Sequence, residues 1–87
     1  MTTITKRAGQ VTPGEHVVYS GKLRSVDDSS GRETHVHEET LRVIDCLTTK
    51  SDMIHVLVTF VNQKRNDEVW VLVTTYTSRM KVIIASK

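Results

Sequence analysis

The chain is poor in cysteine, proline, glycine and aromatic residues, with one Cys, one Pro, four Gly, one Trp, two Tyr and one Phe in 87 residues. Each scarcity excludes something. A lone thiol, Cys46, has no partner for an intrachain disulfide and rules out a zinc site built from several thiolates of one chain. That cysteine usage reads as a reducing compartment, and the protein is expected to be cytosolic. Long apolar runs are lacking too. Residues 1–14 hold Lys6, Arg7 and several threonines, so neither a signal peptide nor a membrane span is expected there. Charge of one sign is also missing: 12 Lys and Arg stand against 10 Asp and Glu, giving a formal charge of +2 and a pI of about 8.9. Such a balance allows binding to nucleic acid only where the cations cluster.

Eighty-seven residues suffice for one domain. At this length roughly 60–65% of the unfolded chain's surface is buried on folding, so the core is thin and a partner subunit would add to stability.

What the sequence does contain is alternation of β-branched and aromatic residues. Residues 1–14 end in Val11-Thr12-Pro13-Gly14, a strong turn signal, and read as a flexible N-terminal arm before a single β-rich domain over 15–87. From Glu15 to Val26, Val17, Tyr19 and Leu23 share one strand face while Val18, Ser20, Lys22 and Arg24 share the other. Asp27-Asp28-Ser29-Ser30-Gly31 carries turn chemistry.

The stretch from Arg32 to Lys50 supports two readings. As a strand it sets Thr34 and Val36 opposite His35 and His37, then Leu41, Val43 and Leu47 opposite Arg42, Ile44 and Cys46. As a helix it lines up Val36, Thr40, Val43, Ile44 and Leu47 in one stripe, with Glu38 four residues before Arg42.

Met53–Val61 and Glu68–Thr77 read as a hairpin around Asn62–Asp67. Ile54, Val56, Val58 and Phe60 point one way, with Met53, Leu57 and Val61 on the reverse; the second strand likewise opposes Val69, Val71 and Val73 to Trp70, Leu72 and Tyr76. Both faces are apolar, so something covers the second: a closed barrel, a helix or another subunit. A last strand, Met80–Ala85, follows the short link Ser78-Arg79 and is expected to return tightly antiparallel on its predecessor. The fold expected is mainly β: one small domain, an antiparallel meander of about five strands forming a small barrel or sandwich-like sheet. The alternative is α+β, with one helix near residues 36–49 packed on the sheet.

His35-Val36-His37 would place two imidazoles on one side of a strand, with Glu39 next and His16 or His55 more distant. Two neighbouring ligands do not fix a coordination geometry, and histidines on a wet strand face are the ordinary outcome. No metal or other cofactor is therefore expected. A metal-independent ribonuclease needs one neutral and one protonated imidazole on opposite sides of a phosphate, which same-face neighbours do not supply. Cys46 sits among Val43, Ile44 and Leu47 and reads as a small buried hydrophobe. With no Ser/His/Asp or Cys/His set legible, no catalytic residue is assigned and the protein is not expected to be an enzyme.

The cations come in pairs: Lys6-Arg7 on the arm, Lys22 and Arg24 on one strand face, Lys64-Arg65 at the hairpin tip, Arg79 and Lys81 at the last strand. Brought together they would form a stripe that follows a phosphate backbone. The function expected is a non-enzymatic nucleic-acid-binding module, RNA preferred over DNA, with no membrane partner. The first alternative is a small inhibitor or adaptor of the viral or mobile-element kind that binds a host protein. A histidine ribonuclease comes third. The thin core and the two-faced hairpin also predict a homodimer. Light scattering across a concentration series should give twice the chain mass, and a monomer at high micromolar concentration would contradict it.

Overall fold

The computed structural model describes residues 2–26, 30–49, 51–61, 68–74 and 76–86. The chain is mainly β, with strands β1 (Thr2–Arg7), β2 (His16–Ser25), β3 (Glu33–Thr48), β4 (Met53–Phe60), β5 (Trp70–Leu72), β6 (Tyr76–Thr77) and β7 (Lys81–Ser86). A 3-10 turn, Ala8–Gln10, joins β1 to the segment before β2. The 36–49 region lies in strand β3, paired antiparallel to β2 on one side and β4 on the other, and the helical alternative is not realised. Its Val, Ile and Thr content suits a strand that fills ladders on both edges.

β2, β3, β4 and β5 form a meander that closes on itself. β2 pairs β3, β3 pairs β4, β4 pairs β5, and β5 returns to β2 through Leu23↔Leu72, Arg24↔Val71 and Ser25↔Trp70. Inside this four-stranded barrel lie the apolar positions that alternation assigns to one face: Leu23, Val58 and Trp70 are at most 1% exposed, and Val56, Phe60 and Leu72 are buried with them. Phe60 meets Trp70 edge to face, with ring centroids 6.1 Å apart at 88°. The indole N–H donates to Glu68 Oε1 at 3.1 Å, so its polar edge is satisfied. Arg32 lies over the indole ring, 5.2 Å from its centroid.

Closure buries one of the hairpin's two apolar faces. The inner set is the barrel core, while Met53, Leu57, Val69 and Val71 stand half-buried on the outside and Val61 and Val73 are exposed.

β3 is bulged twice, and both bulges change which side chains face inward. Between Tyr19↔Glu39 and Gly21↔Val36, His37 and Glu38 stand opposite Ser20 alone, with Glu38 at φ 47° and its N–H donating to Ser20 Oγ at 2.7 Å. Between Val43↔Val58 and Asp45↔Leu57, Ile44 has no partner. After that extra residue the alternation reverses. Cys46, which unbroken alternation would set opposite Val43, packs partly buried against the core with its thiol near the Val11 carbonyl, in keeping with its reading as a small hydrophobe, and Leu47, set with Val43, is 50% exposed.

Two further expectations change. Residues 2–7 do not stand apart as an arm: they form β1, registered with β7 from Thr2↔Ser86 to Arg7↔Lys81. β7 itself does not fold back on the strand before it. A turn closed by Met80 N–H to Thr77 O redirects the chain, and β7 pairs with β2 through His16↔Ala85, Val17↔Ile84 and Val18↔Ile83. The expected partner, residues 68–77, is split into β5, which has no free edge because it already pairs β4 and β2, and the two-residue β6, which pairs β4.

β2 thus serves β3 along one edge and divides the other between β7 and β5. Gly21 sits at the division, with φ 144°, a conformation that side chains rarely adopt. A Cβ there would lie 2.7 Å from the Tyr19 hydroxyl, which donates to the Lys22 carbonyl at 2.9 Å and meets Thr74 Oγ1 at 3.0 Å. β1 is tied at its other end. Lys6 Nζ donates to both Glu15 carboxylate oxygens at 2.9 and 3.0 Å, and Thr12 adds its N–H at 2.8 Å and its hydroxyl at 3.0 Å. Burial alone would raise the Glu15 pKa, but these donors outweigh it and hold the carboxyl below its usual value.

Two outcomes follow. Gly21→Ala should lower stability by about 1–3 kcal/mol in urea unfolding, because backbone strain and the clash with Tyr19 act together. A group whose folded pKa is depressed contributes stability above its unfolded pKa and loses it as pH falls through the folded value. Glu15→Gln should therefore cost under about 1 kcal/mol near neutral pH, the scale of a half-exposed pair, and the gap to the parent protein should close under acid conditions. Urea midpoints measured as a function of pH check it.

Candidate functional site

The sheet formed by β1, β7, β2 and β3 lays its outward side chains in registered rows. One row holds Thr5, Ile83, Val18 and Thr40; the next, toward the chain ends, holds Thr3, Ala85, His16 and Arg42. In the opposite direction Arg7 registers directly with Lys81, and both side chains are exposed. Like charges directly opposite on neighbouring strands repel. Neither cation makes an ion pair or hydrogen bond among the described residues.

The remaining sequence-derived cations divide. Lys6 points to the other side of β1 from Arg7 and is committed to Glu15. Arg24 donates to Glu33 through Nε at 3.3 Å and Nη2 at 3.1 Å, so its charge is matched across the strand pair. Lys22 is exposed opposite His35, and Arg79 is exposed in the turn that leads into β7. Lys64 and Arg65, with the hairpin loop that carries them, lie outside the described residues. Arg42 was not among the cations singled out from pair spacing, although alternation had put it on the outer side; its place in the row beside His16 needs the β2–β3 register.

The histidines do not gather. His35 and His37 are exposed, His37 with its Nε2 3.9 Å from Glu38 Oε2, whereas His16 is half-buried on β2 and His55 half-buried on β4 opposite Leu47. Among the described residues no three His, Cys, Asp or Glu side chains come close enough to share a metal ion. The Cys46 thiol is pushed up in pKa by burial, with Asp45 and Glu15 adding to it, so it remains a neutral thiol rather than a thiolate.

Where β2 changes partner from β7 to β5, the two ladders diverge and leave a pocket of about 210 Å3. Val18, Tyr19 and Ser20 form one wall, Lys81, Val82 and Ile83 the other, and Thr74 and Tyr76 complete it. Tyr76 is 8% exposed, and its hydroxyl, which makes no hydrogen bond among the described residues, is open to solvent rather than enclosed. Burial, and the neighbouring Tyr19, raise its pKa, so the phenol stays protonated. Pair spacing pointed to the cations but gave no signal for this pocket, since Ser20, Tyr76 and Lys81 come from three separate stretches of chain.

All four aromatic side chains, Tyr19, Phe60, Trp70 and Tyr76, are buried, so the outward face offers no ring to a ligand. Among the described residues no helix is long and apolar enough to cross a membrane. No protein-family model, curated protein or solved structure matches this chain.

Proposed function

We propose that this protein is a non-enzymatic nucleic-acid-binding module that holds a phosphate backbone against the outward face of β1 and β7, with RNA preferred. The observation that carries the reading is the Arg7–Lys81 pair: two exposed cations in direct register, with no acidic partner among the described residues. Their mutual repulsion is relieved by a bound polyanion, which is what a phosphate contact supplies. Arg79 and Lys22 extend the positive ground, and Arg42 adds a cation at the far end of the same face. Lys6 and Arg24 contribute less, because each is matched to a carboxylate in its own sheet. Glu38 and Glu39, exposed at the β3 bulge, weaken the potential on that side and favour a path along β1 and β7.

The buried aromatics argue against single-strand recognition by base stacking. Backbone contact to duplex or structured RNA needs no exposed ring. A second reading, a surface that docks a protein partner, draws on the half-buried Leu57 and Val71 and the exposed Leu47 outside the barrel.

Charge reversal separates the readings. Arg7→Glu with Lys81→Glu should weaken binding to all sequences alike and reduce the log–log salt slope by about 1.5, as expected for two lost contacts. Lys6→Gln with Arg24→Gln should change affinity far less. Electrophoretic shift or fluorescence anisotropy at several salt concentrations measures both. If the nuclease-treated protein binds no RNA or DNA even at low salt, the nucleic-acid reading fails and the protein-docking face takes precedence.

A further inference from the structure

Resting on that reading, we infer that the pocket at the β2 fork is a receptor for a phosphomonoester, the terminal phosphate of a nucleic-acid strand or of a free nucleotide. Tyr19 donates its single hydroxyl hydrogen to the Lys22 carbonyl, so its contact with Thr74 Oγ1 must be donated by Thr74. Both of those hydroxyls are spent on the pocket's own frame. Ser20 Oγ accepts the Glu38 N–H, which leaves its hydrogen free to point elsewhere. Tyr76 lines the pocket with its ring largely buried, while its hydroxyl, which makes no hydrogen bond among the described residues, is open to solvent. Lys81 adds an ammonium group at the rim. The lining therefore holds three side chains with a donor that no described residue takes, one of them cationic, and no carboxylate; Val18, Val82 and Ile83 make up its apolar part.

A lining with free donors, one of them cationic, and no carboxylate suits an anion with several acceptor oxygens. Size selects among anions. At about 210 Å3 the pocket is smaller than typical sites for whole ligands and takes one group rather than a nucleoside. An internal phosphodiester carries a sugar on both sides and cannot enter a cleft between two strands without burying them. A terminal phosphate carries one, and by about pH 7 its second ionisation, with a pKa of about 6, is largely complete, which strengthens its contact with a cation and with hydroxyl donors. Lys81 belongs both to this pocket and to the registered pair with Arg7, so a strand seated along β1 and β7 can end here.

The test uses the full chain and one short RNA duplex made in three forms, with 5′-phosphate, with 3′-phosphate and with hydroxyls at all ends, together with adenosine monophosphate, inorganic phosphate and acetate. Anisotropy should show at least one phosphorylated duplex binding about tenfold more tightly than the hydroxyl-ended one, the scale of one or two charged hydrogen bonds. Tyr76→Phe should reduce that advantage while leaving affinity for the hydroxyl-ended duplex and the melting temperature unchanged; Ser20→Ala should reduce it too, with a small fall in melting temperature because the Glu38 N–H loses its acceptor. If all three duplexes bind equally, the pocket assignment fails while the backbone reading stands. If no duplex binds, amide shifts of Ser20, Tyr76 and Lys81 on titration decide: a response to adenosine monophosphate or phosphate, absent in Tyr76→Phe, assigns the pocket to a free phosphomonoester. No response, or an equal response to acetate, overturns it.

Discussion

The structure depends on the way β2 shares its edges. A strand edge offers one row of N–H and C=O groups, and two partners cannot use the same stretch of it. β3 occupies one edge throughout; on the other, β7 holds residues 16–18 and β5 holds 23–25. That division closes the four-stranded barrel and leaves β7 free to carry β1 as a flanking extension. The division falls at Gly21, whose φ of 144° few side chains adopt, and Tyr19, folded against it, fastens β2 to Thr74 on the far side of the opening. The pocket is the space left by the same division, so fold and candidate site share one cause.

Barrel closure also decides where the aromatic residues go. A four-stranded barrel has a narrow interior, and Trp70 and Phe60 fill much of it while Tyr19 and Tyr76 close the region of the fork. Having spent every ring on packing, the chain presents a flanking sheet of Thr, Val, Ile, Lys and Arg. Such a surface recognises charge and shape better than bases, which is why the proposed contact is to phosphate rather than to a stacked strand. Ion pairs inside the sheet narrow the field further. Of two neighbouring residues, Lys6 faces Glu15 and Arg7 faces Lys81, so adjacent cations have opposite roles.

Local sequence determined what depends on neighbours in the chain. Val17, Tyr19 and Leu23 against Val18, Ser20, Lys22 and Arg24, and the inward set Ile54, Val56, Val58, Phe60, Trp70 and Leu72, follow from the two-residue period of a strand wherever that period is unbroken. The mainly β class follows as well, from the density of Val, Ile and Thr. Tertiary structure decided what depends on a partner strand. An extra residue at Ile44 reverses the period, moving Cys46 inward and Leu47 outward, and nothing in Val43-Ile44-Asp45 marks it, because a bulge is defined by the register opposite. The pairing of β1 with β7, and of β7 with β2 rather than with its predecessor, rests on which edges barrel closure leaves open. The candidate site divides in the same way: the cations could be read one by one, but Arg7 beside Lys81, and Ser20, Tyr76 and Lys81 around one pocket, are brought together by contacts between residues more than fifty positions apart in the chain.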